Sequence, residues 1–188
     1  HIKVMDLLML QLHPYLSLIK LPPHRLQHQM KKSRFKYIGI DPGKSGGMVV
    51  IDESGTASAH KCPEKVFDMA TLFGIAIGDT APCNVKLLME RVWARPSNAT
   101  RTAFIYGVNY GQWLGIAASN EIKMYTTLPV EWIQWTGCKK ALPKTKRKNW
   151  LKSKAKELYP EIKKITLATS DAVLIAHYAK EEYFNEET

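Results

Sequence analysis

Three carboxylates stand where a fold could gather them. Asp41 follows the apolar run Tyr37 to Ile40, Glu90 ends the apolar run beginning at Val85, and Asp171 follows Ser170 at the start of the last apolar helical stretch. They lie 49 and 81 residues apart, so only tertiary structure can bring them together. Carboxylates so gathered repel one another, and keeping all of them ionised needs a counter-cation. Hard oxygen ligands suit Mg²⁺, with Mn²⁺ as a substitute. Two such ions, roughly 3.5–4 Å apart, can activate a water, orient a phosphodiester and stabilise its leaving oxygen. The chemistry on offer is therefore phosphodiester hydrolysis without a protein nucleophile, with Asp41, Glu90 and Asp171 as both catalytic and metal-binding residues. Each acid also has a plain structural account. An Asp before Pro-Gly makes a turn, a Glu at a strand end is solvated, and an Asp at a helix start complements the dipole. Their joint placement, together with a strongly basic segment, favours a site.

That segment runs from Lys139 to Lys164 and holds eleven Lys and Arg against two acids, nearly all of the chain's net charge of +10. A solvated helix face would carry more acids to balance it, so one electropositive face for a polyanion is expected. The DNA-contacting candidates are Lys139, Lys140, Lys144, Lys146, Arg147, Lys148 and Lys152, with Arg95 and Arg101 in or beside the loop after Glu90 in second rank. Phe104 could stack on an unpaired base, although an aromatic at the start of an apolar helix is more often core. Trp132, Trp135 and Trp150 read as packing residues.

The elements that must position these groups follow from periodicity. Tyr37 to Ile40 and Met48 to Ile51 flank the turn Asp41 to Gly47 as a β-hairpin, and Thr56 to Lys61 can add a third antiparallel strand. Val66, Met69, Ala70, Phe73 and Ile77 recur at helical spacing. Val85 to Met89 reads as a strand buried on both faces, Thr100 to Ala118 as a helix, Ile122 to Thr126 as a fifth strand and Pro129 to Gln134 as a short helix. A basic helix ending near Pro160 follows, then a last helix from Asp171 to Tyr183 with Ser170 as its N-cap. Arg91 to Ala99 and Gly137 to Thr145 read as loops. Together these predict an α/β domain over residues 30–188, built on a five-stranded mixed sheet.

Residues 1–29 read as an N-terminal extension outside the fold, with Met30 as a natural start. The apolar stretch Leu7 to Leu21 is interrupted by His13, Pro14 and Lys20 and is too short to span a membrane; no secretory leader pattern is present either. The cysteines Cys62, Cys83 and Cys138 are odd in number and widely spaced, which argues against a disulfide framework and for the reducing cytosol. Gly43-Lys44-Ser45 suggests a nucleotide-binding P-loop, but the pattern needs Gly at the position of Ile38.

Taken in order, several segments resemble the RuvC-like Holliday junction resolvases, especially their phage relatives. Tyr37-Ile38-Gly39-Ile40-Asp41-Pro42-Gly43 with Ser45-Gly46-Gly47 is similar to their first strand and turn, and Leu88-Met89-Glu90-Arg91-Val92-Trp93-Ala94 to their strand ending in Glu. Phe104 to Gly107 and Tyr110 to Ile116 resemble their central helix, Pro129-Val130-Glu131-Trp132 their Pro-x-x-Trp segment, and Ser170-Asp171-Ala172-Val173 their final Asp-Ala helix. The resemblance spans about residues 36–180. It implies a ribonuclease H-like fold with helices on both faces of the sheet, a homodimer binding four-way or otherwise branched DNA, and paired Mg²⁺-dependent nicks, two ions per site, in a bacterial or phage-infected cell. It matches Asp41, Glu90 and Asp171 to the metal ligands. In one respect the chain departs from the family: a fourth ligand, Asp or His, is expected three or four residues before the final Asp, where Leu167 and Ala168 stand. Ser170 or Thr169 could compensate through water. The same residues leave room for a catalytically weak junction-binding protein, or for a nuclease of this fold acting on RNA-containing duplexes.

Overall fold

The computed structural model describes residues 35–93 and 99–184. All of these belong to one compact unit. The boundary expected between residues 29 and 30 lies outside the described residues.

Five strands form one mixed sheet in the order β3-β2-β1-β4-β5. β1 (Lys36–Asp41), β2 (Gly47–Asp52) and β3 (Ala57–Lys61) run antiparallel as a meander, whereas β4 (Val85–Glu90) and β5 (Met124–Thr127) run parallel to β1. β1, β2 and β4 are central and nearly continuous in Val, Ile, Leu and Met, which suits strands covered on both faces. β3 lies at the edge and is mostly solvated, as its polar Ala-Ser-Ala-His-Lys sequence requires.

Side-chain alternation divides the core in two. On one face Ile38, Ile40, Met48, Val50, Leu87 and Met89 pack under α1 (Val66–Ile77) and α2 (Thr100–Ser119), through Met69, Phe73, Trp113 and Ile116. On the other, Val49, Ile51 and Leu88 pack under α3 (Pro129–Trp135), α4 (Lys144–Leu158) and α5 (Ser170–Tyr178), through Trp132, Leu151 and Val173 to Ala176. The expected sandwich of helices on both faces of a mixed sheet is present, and it is the ribonuclease H-like arrangement.

Three local expectations need correction. Ser170 is inside the first turn of α5 and not its N-cap; that position is Thr169, which makes no capping hydrogen bond. The Thr169 hydroxyl is occupied in the preceding turn, accepting from the Thr166 amide at 3.0 Å. The last helix also changes character, α5 giving way to a π-turn at Ala179–Tyr183. In α1 the buried stripe is Met69 and Phe73 flanked by Leu72, Ala76 and Ile77, whereas Val66 and Ala70 are exposed. The helix starts at Val66, and its first turn extends past the sheet.

Candidate active site

Asp41 and Glu90 are the last residues of neighbouring parallel strands. Ile40 pairs with Met89, so the two acids that follow stand side by side at the carboxyl ends of β1 and β4. Ile40 and Met89 point toward α1 and α2, and alternation turns Asp41 and Glu90 to the opposite face, that of α5. Asp171 is the second residue of α5. The helix approaches β1 closely because Gly39 has no side chain: a Cβ there would run into the Ala176 nitrogen and the Ala172 carbonyl. Together the three acids line one cavity of about 390 Å³.

Each acid is braced by a neighbour. After Asp41 the chain turns through Gly43, whose φ of +122° excludes ordinary residues and whose α-carbon faces the Tyr106 ring. The Gly43 amide donates to Asn109 Oδ1 on α2 at 2.7 Å, which ties this turn to the helix. Glu90 accepts a hydrogen bond at Oε2 from the buried Trp132 indole, Nε1 to Oε2 3.0 Å. Trp132 is presented by α3, whose start is held by Glu131 accepting from the Leu128 amide and the Thr127 hydroxyl, both at 2.8 Å. Ser170 Oγ donates to Asp171 Oδ1 at 3.2 Å.

Burial pushes the Asp41 carboxyl well above the usual carboxylate range, the charges of Glu90 and Asp171 push it further, and Lys148 pulls the other way. Burial also raises Asp171, opposed by Lys148, by the Ser170 hydrogen bond and by Arg147. Among the described residues no three His, Cys, Asp or Glu side chains stand close enough to hold one ion between them. The carboxylates therefore face a common cavity without forming a closed ligand shell. The donor set nonetheless fits a hard divalent cation: all donors are oxygens, and a buried carboxylate repelled by two others is stabilised by added positive charge.

At the position of the expected fourth ligand, Leu167 is exposed and Ala168 offers no donor side chain. Neither proposed substitute has an idle hydroxyl, since Thr169 is bonded to Thr166 and Ser170 to Asp171. What the cavity has in addition is cationic: Lys144, Arg147 and Lys148 of α4 line it with the acids. Lys139 and Lys140 line an adjoining cavity that shares Arg147. Lys146, Lys152, Arg101 and Phe104 line neither, and Arg95 lies outside the described residues. Phe104 is 71% exposed, so it is not a core residue. Trp135 and Trp150 pack as expected, Trp135 against the rings of His177 and Tyr178.

Two positioning residues are not evident from sequence. Trp132 reads there as packing alone, although its place in a Pro-x-x-Trp segment ahead of the basic stretch marks it as special. Asn109 carries a weaker signal, a single amide among apolar neighbours in α2.

No protein-family model matches the sequence, and no curated protein matches it. Among solved structures the chain is similar to RuvC of Thermus thermophilus, with 16% identity and a TM-score of 0.48 over 82% of this chain and 98% of that one. It is likewise similar to Thermus thermophilus RuvC in complex with Holliday junction substrate, with 14% identity and a TM-score of 0.48 over 79% of this chain and 97% of that one. By its own strand order and pairing, with Asp41 and Glu90 ending adjacent parallel strands under the helix that carries Asp171, the chain has a ribonuclease H-like fold of RuvC-like arrangement.

Proposed function

We propose that this protein is a metal-dependent, structure-selective endonuclease that cleaves phosphodiester bonds in four-way and other branched DNA. The observation that carries the reading is one cavity with two walls of opposite sign, Asp41, Glu90 and Asp171 on one side and Lys144, Arg147 and Lys148 on the other. A phosphodiester can be held by the cationic wall while its reacting bond faces the acids. Asp41, Glu90 and Asp171 would hold Mg²⁺ or Mn²⁺, two ions per site; when bound, these would lower the pKa of the attacking water and stabilise the leaving oxygen. Trp132 keeps Glu90 turned into the cavity, and Asn109 holds the turn after Asp41. Cytoplasmic action in a bacterial or phage-infected cell is part of the same proposal.

Symmetric paired nicks need two copies, and α2 offers a surface for pairing. Phe104, Gly107, Val108, Gly111, Leu114, Gly115 and Ala118 follow one another at helical spacing and are all exposed, a solvent face without a polar side chain. Small residues at every fourth position let two helices approach closely. We place the dimer seam there. Gly111→Arg should yield a monomer by light scattering, and a dimer that persists in this variant would move the seam elsewhere. Among the described residues no helix is long and apolar enough to cross a membrane, so this face has no spanning role.

A second reading, a junction-binding protein of weak catalytic power, is favoured by the missing fourth ligand at Ala168 and the open set of acids. Labelled four-way junction, linear duplex and RNA–DNA hybrid incubated with Mg²⁺ or Mn²⁺ separate the readings. Nicks in the junction alone, abolished by Asp41→Asn, support the nuclease. Binding without cleavage in either metal supports the second reading, and preferential hybrid cleavage would redirect the proposal to RNA-containing duplexes.

A further inference from the structure

Beside the acid-lined cavity lies a second one of about 520 Å³, and the two share Trp93, Pro129, Ile133 and Arg147 in their walls. Its character differs. Leu128 and Val130 extend the apolar lining, while Lys139 and Lys140 add charge beside Arg147. The volume suits a small planar organic group, within the roughly 300–1,000 Å³ typical of small-molecule pockets. Trp93 has half its surface exposed, which an indole seldom shows without a use for its face. Gln134, also in the lining, brings an amide able both to donate and to accept at the edge of a planar ring.

We infer that this second cavity receives an unstacked nucleobase of the cleaved strand, that of a nucleotide flanking the scissile phosphate. The inference rests on the nuclease reading above and adds a subsite to it. The occupant follows from the walls. An apolar slot faced by an indole accepts the flat face of a base, and the cations are complementary to the phosphates on either side of it. Because Arg147 belongs to both cavities, a strand with its scissile phosphate at the acids has its neighbouring nucleotide at this opening. At a junction, bases near the crossover are the least costly to unstack, so occupancy of the slot would favour branched over linear DNA.

The test uses four-way junctions carrying the fluorescent base 2-aminopurine, placed singly at each position flanking the mapped nick, with the full-length protein in the absence of metal. The expected result is an emission change at one flanking position on binding, lost in Trp93→Ala and restored in Trp93→Phe, with junction affinity about tenfold weaker in Trp93→Ala. Val130→Trp, which fills the slot from an exposed position, should act like Trp93→Ala even if that variant folds poorly. If the junction is bound and cut but emission is unchanged at every flanking position, or is the same in wild type, Trp93→Ala and Val130→Trp, the subsite is wrong and the nuclease reading stands. If wild type neither binds nor cuts the junction, both fall.

Discussion

Burial raises the Asp41 carboxyl well above the ordinary carboxylate range, and the charges of Glu90 and Asp171 raise it further. The folded chain therefore holds this proton more tightly than the unfolded chain, whose Asp titrates at about 3.9. Stability contributed by the group is lost as pH rises from the unfolded value through the folded one. At pH 7 Asp41→Asn is thus expected to raise Tm while abolishing cleavage, with the gain shrinking as the pH is lowered toward about 4. Thermal melts across pH check this, and a variant less stable than wild type at neutral pH contradicts it. Mg²⁺ should raise the Tm of wild type and leave that of Asp41→Asn nearly unchanged. Trp132 makes a second case. Its indole hydrogen bond to Glu90 involves a charged acceptor, worth roughly 1.5–3 kcal/mol, so Trp132→Phe should cut the cleavage rate by about tenfold or more while junction affinity changes little. An unaltered rate would mean that Glu90 needs no such brace. The three acids could be read from the chain because each closes or opens an apolar run. The brace could not, because Glu90 and Trp132 meet only when β4 and α3 are packed.

The elements matter chiefly for how closely they approach one another. α5 lies on β1 at a distance that only Gly39 permits, and the same approach delivers Asp171 to Asp41. Gly39→Ala should push helix and strand apart, lowering stability by about 3 kcal/mol and separating the acids, so that cleavage falls even at temperatures where the variant remains folded. Denaturant unfolding and a cleavage assay below the melting range measure the two effects, and a fully active Gly39→Ala would show that the approach serves packing alone. Strand and helix positions were largely legible, since apolar runs of period two and near four are strong local signals. Helix ends were less so. Ser170 has the chemistry of an N-cap, yet helix geometry begins one residue earlier because the Thr166 to Ser170 turn is held by its own hydrogen bonds.

For the molecule as a whole, the basic excess between Lys139 and Lys164 is delivered to one side by α4 and the segment before it, and part of it opens onto the acids. Replacing both Lys144 and Lys148 by Gln should weaken junction binding and lower the slope of log affinity against log salt by about two, since each phosphate no longer neutralised subtracts about one. Fluorescence anisotropy over a salt series gives that slope, and an unchanged value would remove these lysines from the DNA interface. Composition, periodicity and the order of motifs by themselves determined that the chain is a basic α/β domain with three acids at element ends, because those properties are local and survive without knowledge of the packing. Only the tertiary structure decided that Lys144, Arg147 and Lys148 share a cavity with the acids while Lys146 and Lys152 do not, that Phe104 lies in solvent, and that a second cavity opens beside the first. Such pairings depend on how helices rotate and settle on the sheet, which is set by long-range packing of volumes and not by any stretch of residues read alone.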